Sequence, residues 1–153
     1  MLNSEFAGAS ALHGSDRAFA ARYLRAMSHA DIETLRLAYE ASSRGDWEAV
    51  LDAMDPDLEW KTTRAGTHRG HEEVRRFFED MTAPFEEAVF EPEEFFERGH
   101  RILVFVRFQA RPTGTDAIIE NRIAHLWTMR EGKPVRCETF PRREDALEAV
   151  EAE

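Results

Sequence analysis

The sequence predicts an α+β fold, a cone-shaped barrel in which one curved antiparallel sheet wraps around three helices. Two patterns carry that reading. Apolar residues at helical spacing crowd the stretch from Ile32 to Phe85, whereas from Ala88 onward the chain reads as strand-forming runs joined by short turns. Hairpins without intervening helices give an antiparallel sheet with its helices gathered to one side. Strands of ten or more residues twist strongly, and a long twisted sheet closes around its helices as a cone.

Each element has its own justification. Ser28 and Asp31 form an S-x-x-D start, and Ile32, Leu35, Tyr39 and Ser42 follow at helical spacing. Gly45 ends that helix and Asp46 caps the next, in which Trp47, Val50, Leu51 and Met54 fall at i, i+3, i+4, i+7. Asp55-Pro56-Asp57 stops it, because the residue before a proline disfavours the helical region. Leu58 to Thr63 is a short strand and Arg64 to Gly70 a loop. A third helix carries Val74, Phe77, Phe78, Met81 and Phe85, with Pro84 breaking its last turn. Four strands follow: Ala88–Glu97, Arg101–Arg111, Asp116–Arg130 and Val135–Phe140. A short terminal helix holds Ala146, Leu147 and Val150. Residues 1–27, rich in Ala, Ser and Gly at the outset, read as a poorly ordered extension, and 28–153 as the domain.

Length and charge narrow the function classes. At 153 residues the chain makes one domain. The net charge of −10 repels phosphate backbones and anionic lipid, which argues against nucleic-acid and membrane-surface roles. No run approaches the ~18 apolar residues of a membrane span. The single cysteine, Cys137, leaves no internal disulfide, and no secretory signal is evident, so a cytoplasmic protein is expected.

The text GDWEAVLDAMDPDLEW, then RGHEEVRRFF, then HLWTMREGKPVRCETFPRREDALEA resembles the SnoaL-like branch of the nuclear transport factor two superfamily, from about Ile32 to Val150. The order and spacing of Gly45-Asp46, Asp55-Pro56-Asp57 before Trp60, Arg69-Gly70, and Trp127 before Arg130-Glu131-Gly132-Lys133 carry the resemblance. It implies the cone-shaped barrel, a homodimer formed across the sheet face, and a ligand pocket at the wide end. Ketosteroid isomerases, polyketide cyclases, epoxide hydrolases, dehydratases and noncatalytic proteins share this fold, so function rests on the pocket residues.

By that resemblance, the isomerase base, tyrosine and aspartate fall at Lys61, Ala38 and Ala124, so all three are lost. Tyr39 stands one residue from the tyrosine position, and a slight turn of the helix brings it to the pocket. The epoxide hydrolase Arg and Asp positions hold Val104, Val106 and Thr139, with Trp60 and Thr62 in place of a tyrosine and an asparagine. The cyclase acid/base pair falls at Ala124 and Thr139. The implied lining is Tyr39, Trp60, Thr62, Phe78, Met81, Val104, Val106, Phe108, Arg122, Ala124, Leu126, Cys137 and Thr139. An apolar concavity with few polar groups suits a hydrophobic ligand; the same residues also suit a filled barrel core.

Other residues have plainer readings. Arg122 points inward near the mouth or lies at the rim. Glu59 pairs with Lys61 or a dimer mate. His125 is placed on the dimer face. His68 and His71 lack the converging ligands a metal needs, so no metal and no cofactor are expected. Cys137 reads as a small buried residue. The acidic run Glu86, Glu87, Glu91, Glu93, Glu94 and Glu97 marks a solvated edge strand. The leading expectation is a pocket for a small apolar or aromatic molecule without the usual acid/base residues. Behind it stand an enzyme (cyclase, isomerase, dehydratase or epoxide hydrolase-like) working through Tyr39, Thr139 and Arg122, and a structural dimerisation module.

Overall fold

A computed structural model describes residues 14–152, with side chains from His29 onward. Its elements are α1 (Gly14–Ser43), α2 (Trp47–Asp52), β1 (Glu59–Lys61), β2 (Thr67–Arg69), α3 (Gly70–Thr82), β3 (Phe85–Arg98), β4 (Arg101–Pro112), β5 (Ile119–Arg130), β6 (Lys133–Phe140) and α4 (Arg143–Glu151). One sheet runs β2-β1-β6-β5-β4-β3. It is antiparallel except between β1 and β6, which pair in parallel (Trp60 beside Cys137). The expectation of a wholly antiparallel sheet is corrected at that one ladder, because β1 reaches β6 across the fold rather than through a hairpin.

Local chemistry sets the boundaries. Gly45 adopts φ 70°, a left-handed turn open to glycine at little cost, and so ends α1. The Asp46 carboxylate then accepts the Ala49 N–H at 3.2 Å and starts α2. Its buried stripe, Val50, Leu51 and Met54, joins Leu35, Leu58 and Val74 in the main core. Burying each such side chain contributes about 2 kcal/mol before entropy is charged. Past α2, Asp55 Oδ1 accepts the Asp57 N–H at 2.8 Å and closes the turn. Glu131 (φ 52°) and Gly132 (φ 78°) both take the left-handed region, as a two-residue hairpin turn between β5 and β6 requires.

Three boundaries differ from expectation. The helix assigned to begin at Ser28 runs back to Gly14; the Ala, Arg, Leu and Met of residues 17–27 favour helix, so Ser28 and Asp31 lie inside it rather than opening it. Residues 1–13 of the expected extension lie outside the described residues. Phe85 starts β3 instead of ending α3, since the break at Pro84 hands it to the sheet. Within the expected loop 64–70, Thr67–Arg69 pairs with β1 as a short strand.

The sheet has two covered faces. Its concave side takes α1, α2 and α3 over Ile102, Val104, Val106, Trp127 and Cys137. Its convex side carries α4, whose Ala146 and Val150 pack on Leu103, Phe105, Ala124 and Leu126. The acidic strand β3 is a sheet edge, as its charge predicts, with Pro92, which has no N–H to donate, beside a register shift. Glu59 pairs with Arg69 at 2.8 Å and approaches Arg136 at 3.7 Å, not with Lys61: Lys61 shares its face two residues along the strand, but Arg69 and Arg136 stand directly opposite Glu59 on the neighbouring strands and are nearer.

Candidate functional site

The concave side leaves a hollow of about 600 Å³, counting the open space at its mouth. Every inner layer contributes to it. Ala38, Tyr39 and Ser42 come from α1; Trp47, Val50 and Met54 come from α2 and the turn after it. Phe77, Phe78 and Met81 come from α3. The sheet supplies Trp60 and Thr62 near β1, Phe90 from β3, Ile123, His125 and Trp127 from β5, and Thr139 from β6. None of these is Asp, Glu, Lys or Arg, so the wall carries no formal charge while His125 is neutral.

Aromatic rings form much of the wall. Trp60 meets Phe78, Trp127 and His125 edge to face, at centroid distances of 4.8, 5.3 and 5.5 Å. Trp47 tilts against Phe78 at 5.0 Å. Such contacts fix ring orientation and contribute roughly 1 kcal/mol apiece beyond burial, so the wall is preshaped.

A short polar relay runs through this apolar setting. Trp127 Nε1–H donates to the Tyr39 hydroxyl at 2.9 Å, and that hydroxyl lies 2.7 Å from His125 Nδ1. Tyr39 and His125 are 5% and 4% exposed. The hydroxyl's own proton needs an acceptor, and His125 Nδ1 is the one within reach among the described residues, so the phenol donates to the imidazole. Burial holds His125 neutral, lowering its pKa to about 4, and pushes the Tyr39 phenol well above its usual range. Thr139, directly opposite His125 in the β5–β6 register, has its Oγ1 sealed from solvent with no hydrogen-bond partner among the described residues. By contrast, Ser42 Oγ is spent on the Tyr39 carbonyl and Thr62 Oγ1 on the Gly66 carbonyl.

Of the residues expected at the pocket, Tyr39, Trp60, Thr62, Phe78, Met81 and Thr139 line the hollow. Val104, Val106 and Cys137 face the same side but lie fully buried behind it. Cys137 sits in register between Trp60 and Trp127, whose larger rings reach past it. Phe108 stands one layer back, 4.8 Å from the Phe90 ring. Ala124 and Leu126 face the other way, onto α4. Arg122 shares their parity, points outward with its side chain 55% exposed, and meets Glu93 at 3.6 Å.

These corrections have one cause. Val104 stands opposite His125 across the β4–β5 ladder, and directly opposed residues share a face. With Val104 inward, His125 is inward and Ala124 is not. His125, assigned from sequence to the dimer face, therefore belongs inside. Ile123 and Trp127, two residues either side of it, line the hollow with it. Phe77, Phe90 and the α2 stripe were also missed as lining; the helical spacing had already marked Trp47, Val50 and Met54 as inward. His71 is occupied elsewhere, its Nε2 3.1 Å from the Asp55 carbonyl. No cluster of three or more His, Cys, Asp or Glu suited to a metal occurs among the described residues.

The family model of the SnoaL-like domain matches residues 35–137. No curated protein sequence matches the chain. Among solved structures, TerC co-crystallised with polyporic acid is 27% identical with a TM-score of 0.67, over 80% of this chain and 98% of its own. An NTF2-like protein of unknown function from Burkholderia pseudomallei K96243 is 26% identical with a TM-score of 0.67, over 79% and 97%. A protein with a ketosteroid isomerase-like fold from Catenulispora acidiphila DSM 44928, in complex with trimethylamine, shares the fold at 14% identity and a TM-score of 0.64, over 71% and 84%.

Proposed function

The chain belongs to the SnoaL-like domain family, and on that footing we propose that its hollow binds a small apolar or aromatic molecule. The observation that carries this reading is the wall itself: rings from six elements line a space whose lining has no carboxylate, ammonium or guanidinium group. A charged guest would lose its hydration there without a partner, whereas a neutral ring exchanges water for dispersion contacts and edge-to-face packing. TerC, co-crystallised with polyporic acid, gives the same reading support from a relative. A ring-lined hollow in place of a filled barrel core weighs against a purely structural dimerisation module. The homodimer expected from the resemblance is part of the proposal; sedimentation of the purified chain tests it.

The binding test is a thermal-shift panel of neutral one- and two-ring aromatics. A ligand at a hundred times its Kd raises stability by about 2.7 kcal/mol, which moves the melting temperature by several degrees. A panel in which no compound shifts it, with no small molecule carried through gentle mass spectrometry of the purified protein, sinks the reading.

A second reading, an enzyme, has one specific observation in its favour. The usual acid/base positions are vacant, yet Tyr39 and His125 form a buried hydrogen-bonded pair against the hollow. Such a pair moves protons only if a substrate atom reaches it. A compound that binds but emerges chemically unchanged after long incubation supports the first reading; conversion that His125→Gln abolishes supports the second.

A further inference from the structure

The direction of the Trp127–Tyr39–His125 relay fixes what the hollow offers a guest. Trp127 Nε1 is a donor only, so the Tyr39 oxygen accepts from it; assigning the phenol proton to His125 Nδ1, the acceptor within reach among the described residues, satisfies both groups. An imidazole that accepts at Nδ1 and is neutral must carry its hydrogen on Nε2. Nε2 has no partner among the described residues, and the His125 ring borders the hollow. Across the β5–β6 ladder stands the Thr139 hydroxyl, buried and unpartnered on the same hollow. A buried polar hydrogen left without an acceptor costs about 1–3 kcal/mol, so an acceptor atom in the hollow relieves that cost at the Thr139 hydroxyl and gives Nε2 a partner.

We propose that the hollow selects neutral aromatic compounds bearing a carbonyl oxygen, which takes the hydrogen bond from His125 Nε2–H with the Thr139 hydroxyl as a second donor. This rests on the binding reading above and sharpens it to a ligand class. Carboxylates are disfavoured, because no cation lines the space to neutralise them. The phenol serves as a positioning group: it holds the imidazole in one tautomer, its own proton being taken up by His125 Nδ1.

The test compares shapes that differ in one atom group. 2-Acetylnaphthalene and 2-isopropenylnaphthalene have nearly the same outline, one with C=O and the other with C=CH2, and 2-naphthoate supplies the anion. Titration calorimetry on the full chain is expected to give the ketone about tenfold tighter binding than the alkene, the worth of one well-made hydrogen bond, and the weakest binding for naphthoate. His125→Phe is expected to bring the ketone down to the alkene's affinity. Should that variant fail to fold, infrared spectroscopy of the carbonyl-labelled ketone on the unaltered protein serves instead, with a stretch at lower frequency than in hexane expected. Equal binding of ketone and alkene, or a hexane-like stretch, overturns the carbonyl assignment and leaves the binding reading standing. Failure of both neutral compounds and the whole aromatic panel overturns the binding reading and the assignment with it.

Discussion

Acidification from pH 7 to pH 4 sets the unfolded chain against the buried imidazole of His125. In the fold the ring stays neutral until about pH 4, because burial penalises its charged form. In the unfolded chain a histidine titrates near 6.5. Above pH 6.5 neither state binds the proton and the full stability is present. Between 6.5 and 4 only the unfolded chain binds it, so stability falls with pH at up to about 1.4 kcal/mol per unit. Over that window the loss attributable to His125 is about 3 kcal/mol, a large share of the roughly 5–15 kcal/mol that holds a domain together. The perturbation to use is His125→Gln, which keeps a side-chain acceptor for Tyr39 but does not titrate. Urea unfolding at several pH values, followed by the fluorescence of Trp60 and Trp127 whose rings lie 5.5 and 6.0 Å from the imidazole, measures both proteins. The variant is expected to be less stable at pH 7 from lost packing, yet to lose about 3 kcal/mol less on going to pH 4. Titrating carboxylates act on both proteins and cancel in the comparison. Parallel stability curves would show that the ring is already charged or solvated in the fold, and the relay would have to be abandoned.

Asp46→Ala removes the cap of α2 and is expected to cost about 1 kcal/mol, read as a lowered urea midpoint with unchanged slope. Cys137 is fully buried and its thiol pKa is pushed well up by burial, so an aromatic disulfide reagent should label it only as fast as the protein unfolds; rapid labelling under native conditions would contradict its placement. Arg122→Ala removes an exposed ion pair outside the hollow, so stability should change by less than about 1 kcal/mol and aromatic binding not at all. Glu131→Gly relieves a side chain held at φ 52° and should raise stability by roughly 0.5–1 kcal/mol, seen as a higher melting temperature.

What the sequence made legible follows from where burial is one-sided. Trp47, Val50, Leu51 and Met54 announce α2 because that helix has one wet face and one dry one. Gly45 and Asp46 announce its start because their chemistry is local. Strand β5 is different. Trp127 and His125 pack inward while Ala124 and Leu126 are sealed under α4, so both parities look apolar and alternation gives no phase. The inner face of β5 becomes readable only once it is paired with β4, a contact between residues about twenty apart in the chain. That is why Tyr39 and Thr139 were reachable from sequence and His125 was not. The long helix α1 hides its beginning for a related reason, since helix-forming residues continue upstream of the Ser28 signal.

The fringe of glutamates along β3 has a bearing on how copies of this chain meet. Glu86 and Glu91 are held by Arg111 and Arg107 of the neighbouring strand, and Glu87 approaches Arg111 at 3.8 Å, while Glu94 stands exposed on the same strand. Two such margins laid side by side would bring carboxylates face to face, a repulsion that the gain of a few backbone hydrogen bonds does not overcome at moderate salt. Lengthening of the sheet from molecule to molecule is thereby discouraged along its most open border, and any self-association is steered to some other surface.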